Sequence, residues 1–84
     1  MIHAVIEYTM SAFKHGINEE DIRYAILHPV YDEIQDSDDD KHLLLGFDRR
    51  MNLLEIAYNI IGEQTFKVFH AMKCRSSYHE LLRR

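Results

Sequence analysis

The sequence predicts an α+β domain: two N-terminal helices, then a four-stranded antiparallel sheet, then a short C-terminal helix, all within one domain spanning residues 1–84. Three observations carry this reading. Apolar residues up to Leu27 recur at helical spacing and are interrupted by a strong helix-start signal. After Pro29 the apolar period changes from helical to two. The last three alternating segments are separated only by short polar turns, so they can pair as an antiparallel meander.

The first helix is expected over Ile2 to His15, with Ile2, Ile6 and Phe13 near one face and Gly16 as its C-terminal stop. Asn18 can cap the second helix, and Glu19, Glu20 and Asp21 fill its first turn, where carboxylates suit the helix dipole. Ile17 and Ile22 stand at the staple positions. This helix should bury Ile22, Ala25 and Ile26 and end at Leu27 or His28, because Pro29 disfavours helical geometry in the residue before it. Val30 to Gln35 resembles an edge strand. His42 to Phe47 and Leu53 to Ile61 follow, the latter as the central strand with Leu54, Ile56, Tyr58 and Ile60 on one face. Thr65 to Met72 is the fourth strand, in which Phe66, Val68, His70 and Met72 share one phase. The tail from Ser76 to Arg84 can present Tyr78, Leu81 and Leu82 as a short helix.

Composition bounds the function. The 84 residues are 46% hydrophobic and 29% charged, ordinary for a globular domain and too apolar for a disordered one. Short apolar runs such as Leu43 to Leu45 cannot span a membrane, and the start of the chain lacks a basic signal-peptide region. The lone Cys74 excludes an intrachain disulfide and fits a reducing cytoplasm. No two of the six histidines have a common metal-site spacing, and three scattered glycines make no phosphate loop, so neither a metal nor a nucleotide cofactor is expected. The net charge of −4 is unevenly spread: residues 1–40 carry −8 and residues 41–84 carry +4. Six acids fall between Asp32 and Asp40, ending in Asp38-Asp39-Asp40. The basic second half suits a polyphosphate partner, because Lys and Arg neutralise phosphates.

Four segments are more specific. They are Lys14-His15-Gly16-Ile17 with Glu19-Glu20, Leu44-Leu45-Gly46-Phe47-Asp48-Arg49-Arg50, Leu53-Leu54-Glu55-Ile56, and His70-Ala71-Met72-Lys73-Cys74-Arg75. In order and spacing they resemble the "KHG", "(I/L)-G-x-(S/D)-x-R", "LLVV" and "SARKAT" segments of BrnT-like toxins, within the RelE-like ribonuclease superfamily. The resemblance covers nearly the whole chain. It implies the toxin of a type II toxin–antitoxin pair, which cleaves RNA, inhibits translation and is held inactive by a cognate antitoxin. It also implies helices followed by a twisted antiparallel sheet. The sequence departs from the pattern at Met72, where the family carries Arg, in its acidic net charge, and in an N-terminal segment of helical period where the family is extended.

RNA cleavage without a metal needs a base for the 2′-hydroxyl, a cation for the phosphorane charge and an acid for the 5′-oxygen. His70, Lys73, Arg75 and Tyr78 cluster at the end of the last strand and are the candidate catalytic residues. Arg49 and Arg50 in a turn, and Lys14 and His15 at the end of the first helix, are candidate RNA contacts. A competing reading keeps the same fold as a non-catalytic interaction module that binds a basic partner through the acidic 32–40 stretch. In either case an open edge such as residues 30–35 suits a homodimer or a tight partner complex.

Overall fold

A computed structural model of the chain describes residues 5–35 and 41–83. Ile2, the Asp38-Asp39-Asp40 run and Arg84, all used in the sequence reading, lie outside the described residues. The elements are strand β1 (Val5–Tyr8), a first 3₁₀ helix (Met10–Phe13), helix α1 (Glu19–Leu27), strands β2 (Pro29–Ile34), β3 (Lys41–Phe47), β4 (Leu53–Gly62) and β5 (Thr65–Lys73), and a C-terminal 3₁₀ helix (Ser76–Arg83). The strands form one mixed sheet in the order β1-β5-β4-β3-β2. β2 to β5 pair as an antiparallel meander, and β1 adds in parallel to the free edge of β5.

The α+β class stands, but the expected architecture of two N-terminal helices, a four-stranded antiparallel sheet and a C-terminal helix does not. The first helix is replaced by β1 and a single 3₁₀ turn. Val5, Ile6 and Tyr8 are β-branched or aromatic, and so short a segment satisfies both periods. The edge of β5 decides between them: Val5 pairs with Thr65 and Tyr8 with Val68, an interaction no local window contains. The C-terminal segment is 3₁₀ rather than α-helical. Eight residues are too few for an α-helix to hold by itself, and the two partly buried positions, Tyr78 and Leu81, are three apart, the period of a 3₁₀ turn.

α1 forms where the capping residues direct it. The Asn18 side chain accepts a 2.9 Å hydrogen bond from the Asp21 N–H, and three acids occupy the first turn. Replacing Asn18 with alanine should cost about 1 kcal/mol and lower the melting temperature by about 4–8 °C. Thermal unfolding by circular dichroism checks this, and an unchanged midpoint would show that the cap carries nothing. Ile22, Ala25 and Ile26 of α1 pack on one sheet face with Leu44, Leu54, Ile56, Tyr58, Val68 and Ala71, which form the core with Ala12.

One irregularity in β5 decides which residues reach the other face. Tyr58 pairs with Val68 but the adjacent Ala57 pairs with His70, so Phe69 is an extra, bulged residue. The bulge breaks the phase expected for Phe66, Val68, His70 and Met72. Phe66 and Val68 join the core, whereas His70 and Met72 turn to the opposite face beside Ala57 and Glu55, and Ala71 takes the core position opposite Ile56.

Candidate functional site

Glu55 is the least expected feature of that second face. It is the third residue of the central strand, 1% exposed, with Leu45 and Met72 as its neighbours on the adjacent strands. A carboxylate buried among such neighbours must be matched by donors. Oε1 accepts from the Arg75 backbone N–H at 3.0 Å and from Arg75 Nε at 2.9 Å. Oε2 accepts from Arg75 Nη2 at 2.8 Å and from His70 Nε2 at 2.9 Å. Burial alone would push the Glu55 carboxyl up, but the bonds from Arg75 and His70 outweigh it and hold the group below the ordinary carboxylate range. Because Nε2 of His70 donates to Glu55, Nδ1 carries the lone pair of the neutral ring.

Around this triad opens a cleft of about 380 Å³. Leu43, Glu55, Ala57, Phe69 and His70 form its floor, and the bulge is what lets Phe69 and His70 both line it. Lys14 and His15 come from the N-terminal side, Arg75 and Tyr78 from the C-terminal side, and Gln35, Lys41 and His42 from the β2–β3 side. The Arg75 guanidinium lies over the Tyr78 ring, 5.0 Å from its centre, so the ring face supports the cation. Lys41 Nζ lies 5.8 Å from the Phe69 ring centre. His15 and His70 meet edge to face, with ring centres 5.5 Å apart.

Two anchors bring the N-terminal residues here. The Thr9 N–H donates to the Val68 carbonyl at 2.9 Å, and Ser11 Oγ donates to the Phe69 carbonyl at 2.7 Å. Gly16, at φ +80°, then turns the chain toward α1 in a conformation that strongly favours glycine.

The sequence-predicted site residues separate into two groups. His70, Arg75, Tyr78, Lys14 and His15 converge on the cleft. Lys73 does not line it: it pairs with Leu54, whose side chain belongs to the core face, so alternation carries Lys73 away from Glu55. Arg49 is held instead by α1, with Nε 3.1 Å from Asp21 Oδ1 and Nη1 3.2 Å from Glu20 Oε2. Arg50 lies in the same turn, which is organised by the buried Asp48: its Oδ1 accepts from the Arg50 and Asn52 backbone N–H groups at 2.8 and 2.9 Å. The sequence reading missed Lys41 and, more consequentially, Glu55. Its signal was available, a single acid inside the apolar run Leu53-Leu54-Glu55-Ile56-Ala57.

Other candidates recede. Burial, and then the Glu55 charge, push the Cys74 thiol up, which disfavours the nucleophilic thiolate. Burial, and then a hydrogen bond to Asp32, push the Tyr58 hydroxyl well above its ordinary range; it donates to Asp32 at 2.7 Å and supports a stacked His42 ring. No group of three or more His, Cys, Asp or Glu side chains that could hold a metal occurs among the described residues. No helix among them is long and apolar enough to cross a membrane. Compared with protein-family models, with curated proteins and with solved structures, the chain finds no match.

Proposed function

We propose that the chain is a metal-independent endoribonuclease, acting in the cytoplasm as the toxin of a type II toxin–antitoxin pair. The observation that carries the nuclease reading is the cleft's local charge. Among the described residues, Lys14, Lys41 and Arg75 line it against a single carboxylate, Glu55, in a chain whose net charge is −4. A phosphodiester is therefore drawn to this cleft rather than to the acidic remainder. The toxin assignment rests on the BrnT-like motifs. The extended β1 supports it by removing one departure from that pattern.

The chemistry follows from the donors and acceptors. Arg75 spends its Nε and Nη2 on Glu55 and offers the rest of its guanidinium to a phosphate oxygen. His70, oriented through Nε2, takes the 2′-hydroxyl proton at Nδ1. The 2′-oxygen attacks phosphorus and the P–O5′ bond breaks. The products are a 2′,3′-cyclic phosphate and a 5′-hydroxyl.

Incubating the purified chain with single-stranded RNA in the presence of a chelator tests this directly. Cleavage leaving those two ends is the expected result, with the rate reduced about a hundredfold or more in His70→Ala, the range typical of a lost proton-transfer group. Growth arrest on induction should likewise disappear in the variant at matched soluble expression. RNA left intact by the parent would overturn the reading. It would favour an interaction module using the open edge of β2, where Val30 and Ile34 stand exposed for a partner strand.

A further inference from the structure

The ribonuclease reading leaves the 5′-oxygen without a proton donor, and the cleft narrows the choice. Lys14 and Lys41 are suited to holding phosphate charge. The Tyr78 ring is engaged beneath the Arg75 guanidinium. The His42 ring is fixed between Asp32, 3.2 Å from its Nδ1, and Tyr58, stacked 4.8 Å away. Glu55 is filled by Arg75 and His70. Of the cleft's other imidazoles among the described residues, His15 is the one whose ring meets His70.

Its geometry is that of a partner to His70. The two rings lie 5.5 Å apart at 76°, yet they come from unrelated parts of the chain. His70 is fixed from below by Glu55 on the central strand. His15 is carried by the turn after the first 3₁₀ helix, which Ser11 ties to the backbone of the bulged Phe69 next to His70. The bulge therefore does two things at once: it turns His70 into the cleft and supplies the carbonyl that secures the turn bearing His15. Two imidazoles so arranged can address one phosphate from two directions.

We infer that His15 is the general acid of the cleavage step, paired with His70 as base. This rests on the ribonuclease reading. His70 Nδ1 accepts the proton of the 2′-hydroxyl as the 2′-oxygen bonds to phosphorus. His15, entering protonated, delivers its proton to the departing 5′-oxygen as the P–O5′ bond breaks. The histidines finish with exchanged protonation states and are reset by water. Among the described residues, Lys14, Lys41, His42, Glu55, Arg75 and Tyr78 are the charged or titratable groups that line the cleft with the pair.

An RNA oligonucleotide carrying sulfur in place of the bridging 5′-oxygen at the cleaved linkage tests this, because a thiolate departs without needing a proton. His15→Ala should cleave the ordinary linkage about a hundredfold more slowly than the parent. On the sulfur-bridged linkage it should come within a few-fold of the parent, while His70→Ala stays slow on both. His15 is exposed, so the substitution leaves the fold intact, and matching thermal unfolding curves verify this. His15→Ala equally slow on both linkages, or unimpaired on the ordinary one, would overturn the acid role and leave the ribonuclease reading standing. A parent that cleaves neither linkage would remove both.

Discussion

Replacing Gly46 with alanine is expected to strip the domain of about 3 kcal/mol or more, the upper end for forcing extra volume into a packed core. A domain of this size has roughly 5–10 kcal/mol in total. Gly46 lies in β3, opposite Leu54, on the face that receives α1. A Cβ built there would overlap the Ala25 carbonyl oxygen and stand 3.0 Å from its carbon. Both are backbone atoms of α1, so no side chain can swing aside; the helix would have to lift off the sheet. Ile22, Ala25 and Ile26 make that contact with Leu44, Leu54 and Ile56, and lifting would open the seam they close. Urea unfolding measures the loss as a fall in midpoint with little change of slope. Gly62→Ala is the control, since its added Cβ would meet only Thr65 side-chain atoms, 3.9 and 4.0 Å away. Equal midpoints for the two variants would show that α1 does not depend on this close approach.

What was legible in the sequence was what short stretches of chain decide. α1 announces itself through Asn18, three acids and Pro29, all within a dozen residues, and it forms there. β3 and β4 are read as strands from short apolar runs bounded by turn residues, and both are buried on each face, over residues 43–46 and 54–58. β1 is different. Four residues carry no reliable period, and what makes them a strand is the vacant edge of β5, some sixty residues away. The bulge at Phe69 is equally silent, since an inserted residue leaves the alternating pattern of β5 looking regular while shifting its phase. That shift is why the sequence grouped His70 with Val68, and why His70 faces Glu55 instead. The site was half visible. Proximity in sequence found His70, Arg75 and Tyr78, and motif resemblance drew attention to Lys14 and His15. Charge counting could not tell Arg75, turned toward a buried carboxylate in the cleft, from Arg49, occupied by the first turn of α1.

Glu55 carries the second large prediction, because stability and the proposed chemistry meet in its carboxylate. Glu55→Gln keeps the shape but removes the charge and turns one acceptor oxygen into a donor that opposes Arg75 or His70. Breaking a buried ion pair by removing one partner costs about 3–5 kcal/mol, and Arg75, half exposed, can recover some water, so about 2–3 kcal/mol is expected here. The same substitution releases His70 Nε2 and with it the orientation of Nδ1, so RNA cleavage should fall by about a hundredfold. The pH dependence has a definite sign. The folded-state acid constant of Glu55 is depressed below its ordinary value of 4.5. Its contribution is therefore fully present above that value and is lost as pH falls through the depressed one. The gap in urea midpoint between the parent and Glu55→Gln should be wide at pH 7 and narrow toward pH 3. Asp48, also depressed against the opposing effect of its burial by hydrogen bonds from Asn52 and Arg50, weakens both proteins alike in that range and cancels in the comparison. A gap of the same width at both pH values would show that the charge of Glu55 contributes nothing. A double variant, Glu55→Met with Arg75→Met, separates the two roles. Removing both charges leaves no buried charge unpaired, and only the partly buried His70 Nε2 loses its acceptor, so part of the lost stability should return. Cleavage should stay at the Glu55→Gln level or below, because neither the phosphate cation nor the support of His70 is restored.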